Sequence, residues 1–177
     1  MPIQKTAAIT GHRPNKLFGY DLMAGPYQKL RAGIKQLLVQ EDIRELYTGM
    51  ALGTDMLAAL AVIDLQNAGH DIRLHAAVPY KDHKDGRWPQ ETRDLYDAIL
   101  SRAARVDLVT DGPYSPWALE LRNRFMVDRS GLLIAVYAGA PGGTANCIKY
   151  TRRTGKPIWF IDPKHPEQPT FVPGKKI

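Results

Sequence analysis

Short apolar runs recur along this chain with helix-length stretches between them, and that alternation limits its fold more than any other feature. The runs lie at residues 5–10, 43–48, 72–78, 106–110, 132–137 and 157–161. Between the first two, residues 26–40 place Leu30, Ile34, Leu37 and Leu38 at helical spacing. Residues 52–68 read as an amphipathic to buried helix, and 89–103 open on Pro89, where a first helical turn tolerates proline. Residues 117–129 carry Leu119, Leu121, Phe125 and Met126, and Gly142-Gly143-Thr144 leads into a last helix ending near 154. Strands alternating with helices predict βαβ units, whose parallel strands are buried under crossover helices. The expected fold is α/β, Rossmann-like and doubly wound, a mostly parallel sheet with helices on both faces. One domain is expected over residues 1–161. Residues 162–177, with Pro163, Pro166, Pro169 and Pro173, are expected to form an irregular, surface-hugging or loose C-terminal tail.

At 177 residues, 44% of them hydrophobic and 24% charged, the chain can bury a substantial core and has an ordinary globular composition. Its single cysteine, Cys147, excludes an intramolecular disulfide and makes a reducing, cytoplasmic setting the expectation. No apolar run approaches the roughly 18 residues of a membrane span, so no membrane partner is expected. Lys and Arg outnumber Asp and Glu by 24 to 18, giving a net charge of +6. Much of the excess lies at Arg152, Arg153, Lys156, Lys175 and Lys176, with no aromatic-interleaved basic stripe and no helix-turn-helix or zinc-finger spacing. An anionic small ligand explains this charge at least as well as nucleic acid, which stays the minority expectation. His70, His75, His83 and His165 lack metal-ligand spacing, so no metal is expected, and Cys147 reads as a small packing residue.

Chemistry-bearing residues gather in four places. Thr10-Gly11-His12-Arg13-Pro14 closes the first strand, at the sheet edge where open parallel sheets bind ligands. Its glycine lets an anion approach the backbone, and its arginine can grip phosphate or carboxylate with two parallel hydrogen bonds. Gly49-Met50-Ala51-Leu52-Gly53-Thr54-Asp55 opens the second helix, where backbone N–H groups and the positive helix end suit an anion. Asp55 reads either as a carboxylate favoured by the dipole or as a ribose-hydroxyl acceptor. It is no Walker loop, because no lysine follows the second glycine. Arg122-Asn123-Arg124 lies on the helix before the fifth strand, with Arg124 and Asp128 spaced for a local ion pair. Finally, Gly139-Ala140-Pro141-Gly142-Gly143-Thr144-Ala145-Asn146 follows a buried strand and offers free N–H donors, with Thr144 at an expected N-cap. The polar stretch 80–88 follows the third strand and reads as a lid, with Trp88 placed either to pack or to stack on a ligand.

Taken in order, Ile9-Thr10-Gly11-His12-Arg13-Pro14, residues 49–55, residues 122–128 and Gly142-Gly143-Thr144 resemble the YpsA-like family of the SLOG superfamily, which also holds the DprA and LOG proteins. The resemblance spans about residues 5–161. It implies a Rossmann-like fold and a pocket for a nucleotide or nucleotide derivative such as an ADP-ribose-like molecule. Arg122, Met126 and Pro141-Gly142-Gly143 also resemble the phosphoribohydrolase branch, but Asn123 stands where that branch has Lys, and no Glu follows Thr144. N-glycosidic cleavage needs a carboxylate beside an oxocarbenium-like centre, so the departures leave binding intact and remove the expected acid.

The first expectation is therefore a binding or sensing protein with no cofactor requirement. Gly11, Gly49, Gly142, Gly143 and Thr144 would meet phosphates, Arg13 and Arg122 would neutralise charge, and Asp55 or Asn146 would read ribose or base. Thr10, His12, Gly53 and Thr54 complete the expected ligand-binding set. The second expectation is a nucleoside-monophosphate phosphoribohydrolase-type N-glycosidase, with Arg122, Asp55 and Asp128 as candidate catalytic residues. The third is a DprA-like accessory of single-strand nucleic-acid processing. A homo-oligomer is an expectation from the resemblance alone.

Overall fold

In a computed structural model, which describes residues 5–176, the six expected strands form as Thr6–Gly11 (β1), Glu45–Thr48 (β2), Arg73–Val78 (β3), Arg105–Leu108 (β4), Leu132–Val136 (β5) and Ile158–Ile161 (β6). The helices between them are Gly25–Gln40 (α1), Thr54–Asn67 (α2), Gln90–Arg102 (α3), Pro116–Asp128 (α4) and Gly143–Arg153 (α5). A short 3-10 turn, Pro14–Lys16, follows β1, and Thr170–Val172 adds a further strand, β7. The order across the sheet is β4-β3-β2-β1-β5-β6-β7, parallel throughout except for β7 against β6. The first four residues of the expected domain and the last of the tail lie outside the described residues.

Strand alternation sorts the core into two layers. Ala7, Ile9, Leu46 and Leu74 face Leu30 and Ile34 of α1, Met56 and Leu57 of α2, and Tyr96 and Ile99 of α3. Ala8, Tyr47, Leu133 and Ala135 face Met126 and Val127 of α4 and Cys147 and Ile148 of α5. Right-handed crossovers demand this split, since the chain winds outward from β1 to β4 and then returns across β1 to run the other way. The α/β doubly wound expectation holds. β1 and β5 are continuous apolar runs because both of their faces are covered, whereas β4 lies at one edge and leaves Val106 and Leu108 about half exposed.

The tail corrects the expectation of irregular chain. Thr170–Val172 pairs antiparallel with β6, and the Phe171 ring lies 5.1 Å from that of Trp159. Pro163 and Pro166 are buried, and Pro166 rests on α1 at Gly33, where no side chain keeps it off. Proline disfavours strand interiors but sits well in the turns that bring an edge strand back, and all four prolines precede or follow β7. Among the described residues no helix is long and apolar enough to cross a membrane.

Candidate functional site

β1 pairs with β2 on one side and with β5 on the other, and the helices that follow β1 and β5 lie on opposite faces. A crevice therefore opens over the carboxyl ends of β1 and β5, the switch point of a doubly wound sheet. Two contacts tie its walls together. His12 is 4% exposed, and its Nε2 accepts the Ala138 N–H at 3.0 Å, which leaves the ring proton on Nδ1. Burial, and then the nearby Lys16 charge, hold His12 below its ordinary pKa, so it is neutral and free to accept at pH 7. Lys16 Nζ donates to the Pro141 carbonyl at 2.9 Å, spanning the mouth from the β1 loop to the β5 loop.

The α5 N-terminus forms the floor. Gly142 is the N-cap residue at φ +135°, a conformation that suits glycine, and no side chain caps the helix. Thr144 is thus not the N-cap expected from the sequence; it lies inside the first turn, buried. The first helical N–H groups have no partner within their own helix and remain available to a ligand.

Arg122, Asn123 and Asp55 stiffen the opposite wall. Arg122 is 6% exposed and donates from Nη1 to the Gly49 carbonyl at 2.6 Å and from Nε to Asn123 Oδ1 at 3.1 Å. Asn123 Nδ2 donates in turn to the Gly143 carbonyl at 3.4 Å, linking α4 to the start of α5. Asp55 Oδ2 accepts the Ala51 N–H at 3.2 Å and stands 4.0 Å from Arg122 Nη1. Burial pushes the Asp55 carboxyl above the usual range against the pull of Arg122, and presses the Arg122 guanidinium below its own. Arg13 differs from Arg122 in being exposed, and among the described residues its guanidinium has no hydrogen-bond or ion-pair partner.

Together these residues enclose a hollow of about 350 Å³. Thr10, Gly11, His12, Arg13, Asp55, Arg122, Gly142, Gly143 and Thr144 of the expected ligand-binding set line it. Gly49, Gly53 and Thr54 stand behind its wall. A Cβ on Gly49 would run into the Arg122 guanidinium, and one on Gly53, at φ +93°, would meet the His12 carbonyl. The Thr54 hydroxyl donates to that carbonyl at 3.1 Å, and its N–H points there too at 3.3 Å, so Thr54 spends both donors on the protein. Asn146 lies apart, on an outer hollow between α4 and α5 with Trp117 and Tyr150. Asp128 is also remote and accepts from the Tyr150 hydroxyl at 2.8 Å. Arg124 pairs with Glu120 at 3.0 Å rather than with Asp128, and the Trp117 and Tyr150 rings lie 5.0 and 5.2 Å from its guanidinium. Asn15 and Lys16, just past the Thr10–Pro14 motif, were missed by sequence reasoning, and Asn123 was named only within the Arg122-Asn123-Arg124 cluster; the fold brings all three to the hollow.

Arg13, Asn15 and Ala51 also wall a second, wider chamber of about 1190 Å³, roofed by residues 80–88 and 111–114. His83 pins this loop down: it is 4% exposed, lies among Trp88, Tyr80 and Tyr96, and meets the Tyr96 hydroxyl at 3.2 Å. Burial drops its pKa to about 3, so the imidazole stays neutral. Trp88 lines the chamber while packing on Tyr96. Among the described residues no group of three or more His, Cys, Asp or Glu side chains could hold a metal ion.

The fold resembles that of DNA processing protein A. The chain superposes on DprA from Streptococcus pneumoniae with a TM-score of 0.60 at 18% identity, covering 89% of this chain and 50% of that one. On DprA from Helicobacter pylori the TM-score is again 0.60, at 19% identity, with 89% of this chain and 65% of that one covered. In sequence it is 32% identical over 148 residues to the SPbeta prophage-derived protein YoqJ of Bacillus subtilis (strain 168), covering 76% of this chain and 86% of the relative. It is 27% identical over 157 residues to a UPF0398 protein of Bacillus thuringiensis (strain Al Hakam), covering 86% and 85% respectively. Residues 7–165 match the family model described as the YspA SLOG family, YpsA, and the chain belongs to that family.

Proposed function

We propose that this protein binds a nucleotide or nucleotide derivative, with its phosphate in the hollow between β1 and β5. The observation that carries the reading is the unpartnered Arg13 guanidinium beside the uncapped, glycine-opened N-terminus of α5. Two positive ends, one side-chain and one backbone, meet in a concave site that supplies no competing anion except the Arg122-paired Asp55. Gly142, Gly143 and Thr144 would hold phosphate oxygens, Arg13 and Lys16 would close on them, and Asp55 and Asn123 would accept from and donate to ribose hydroxyls. The Helicobacter pylori neighbour is described by its single-stranded DNA binding, so a short oligonucleotide belongs in any ligand panel.

The test is a thermal-shift panel of nucleoside mono-, di- and triphosphates, ADP-ribose and oligothymidylate. A ligand at a hundredfold excess over Kd stabilises by about 2.7 kcal/mol, a rise of about 5–10 °C for a domain of this size. Arg13→Ala and Gly143→Val should each abolish the rise without lowering the unliganded Tm. A Cβ on Gly143 would meet nothing within 4 Å, so the valine enters the hollow rather than the core. A shift that survives both substitutions rules this hollow out. No free base should leave a nucleoside monophosphate over hours; turnover seen by chromatography would make Asp55 the acid of an N-glycosidase instead.

A further inference from the structure

The hollow accounts for the charged end of a ligand but not for the space beside it. The second chamber is more than three times larger and shares Arg13, Asn15 and Ala51 with the hollow, so one ligand can pass from one into the other around the Arg13 guanidinium. Its chemistry is different. Aromatic rings enter from three separate loops: Tyr20 ahead of α1, Tyr80 and Trp88 after β3, and Tyr114 after β4. Tyr80 and Tyr114 meet edge to face with centroids 5.5 Å apart, a contact that uses one ring's edge and one side of the other ring and so leaves each ring at least one open face. Tyr20 and Tyr114 nevertheless remain 71% and 61% exposed, so most of both rings faces open space.

Charge separates the two cavities as clearly as shape does. The hollow holds Arg13, Lys16 and Arg122 against Asp55 alone. The chamber sets three carboxylates, Asp82, Asp85 and Asp111, against Arg13, Lys81 and Arg87, and Asp85 is tied to Arg87. Among the described residues neither Asp82 nor Asp111 makes a hydrogen bond or ion pair. Asp82 also holds a left-handed backbone at φ +60°, unusual for a residue with a side chain and of a kind that gathers at ligand sites. Neutral His83 adds no positive charge to this wall.

We infer that the wide chamber is the heterocycle half of the site: it takes an aromatic base bearing an exocyclic amino group, stacked against Tyr114 and Tyr20, with Asp82 or Asp111 accepting the amino hydrogens. This rests on the phosphate reading of the hollow and gives the ligand a direction, phosphate under α5 and base under the loop of residues 80–88. Amino-bearing bases (adenine, cytosine, guanine) fit carboxylate acceptors, while uracil and thymine present carbonyl oxygens there and are disfavoured.

The experiment divides the ligand. Ribose 5-phosphate and inorganic diphosphate reach only the hollow; AMP, ADP-ribose and UMP reach both cavities. By titration calorimetry on the whole chain, Tyr114→Ala and Tyr20→Ala should each weaken AMP and ADP-ribose about tenfold, the loss of one base–aromatic stack, and leave ribose 5-phosphate and diphosphate within twofold. Both tyrosines are largely exposed, so neither substitution threatens folding. Asp82→Asn with Asp111→Asn should narrow the preference for AMP over UMP. If the wild type binds the fragments but the tyrosine variants bind AMP as tightly as it does, the base assignment falls and the phosphate reading stands. If the wild type binds neither fragments nor nucleotides, both fall. An oligonucleotide that binds in place of the nucleotides, with equal loss in the tyrosine and Arg13 variants, would turn the chamber into a strand channel and overturn the assignment as well.

Discussion

Arg122 and Asp55 are both buried, and neither makes sense without the other. A buried pair at 4.0 Å is held less by its own attraction than by the penalty of leaving either partner alone. Arg122→Leu should therefore cost about 3–5 kcal/mol in urea unfolding, because it strands the Asp55 carboxylate. With the guanidinium gone, burial raises the Asp55 carboxyl further above the usual range. The folded state then prefers the protonated acid, so the loss should deepen as pH rises and shrink as pH falls. Adding Asp55→Asn should restore part of the stability and flatten that pH dependence, since an amide oxygen can still accept the Ala51 N–H. A pH-independent loss would show that Arg122 matters only for packing. The sequence made this pair visible as two separate motifs but not as one contact. The long stretch between them carries no local signal, and only the fold joins them, by bringing α4 on one face and the start of α2 on the other to the same carboxyl edge of the sheet. The glycines were ambiguous for a related reason: Gly49 and Gly142 look alike in the sequence, yet one makes room for a side chain and the other opens a helix toward the cleft.

Elements differ in how they were announced. β1, β5 and α1 were legible because they are long, periodic and covered on predictable faces, and their ends were displaced by only a residue or two. The 3-10 turn Pro14–Lys16 and β7 were not, since neither has room for a period and both exist through what they pack on. The stretch 80–88 is polar and turn-rich in sequence, yet it is fastened from inside by His83. That fastening predicts acid sensitivity. The unfolded chain binds a proton on His83 near pH 6.5, whereas the folded one resists until about 3. Its contribution is thus whole above about pH 6.5 and is lost as pH falls through that window, at up to about 1.4 kcal/mol per pH unit. His12 and His75 are shifted the same way and add to the slope. His83→Phe should remove its share, so that variant and wild type differ less at pH 5 than at pH 7.5 in chemical denaturation. Parallel curves would mean that His83 takes up its proton at the same pH in the folded loop as in the unfolded chain.

At the scale of the molecule, the strand order placed the site, and the tail closes the sheet on its far side. Alternating strands and helices foretold a parallel sheet, but nothing local says that the chain winds outward through β2, β3 and β4 and then returns to put β5 beside β1. That return creates the crevice. The tail's place was equally unreadable, because Pro166 is buried by a gap left on α1 at Gly33, more than a hundred residues earlier. This contact gives a test whose sign depends on the tail. A glycine inside a helix is normally improved by alanine, by about 1 kcal/mol, through lost backbone freedom in the unfolded chain. Here a Cβ on Gly33 would lie 2.6 Å from the Pro166 carbonyl oxygen and 2.8 Å from its Cβ, with no flexible end to yield. Gly33→Ala should therefore destabilise the full chain, by about 1–3 kcal/mol as for other overpacked contacts. Cutting the chain after Ile161 removes Pro166 together with the Trp159–Phe171 contact and the cover on β6, and should itself lower the Tm. In that shortened chain the same Gly33→Ala substitution should become stabilising. A docked tail predicts this reversal of sign, and a loose one predicts stabilisation in both backgrounds.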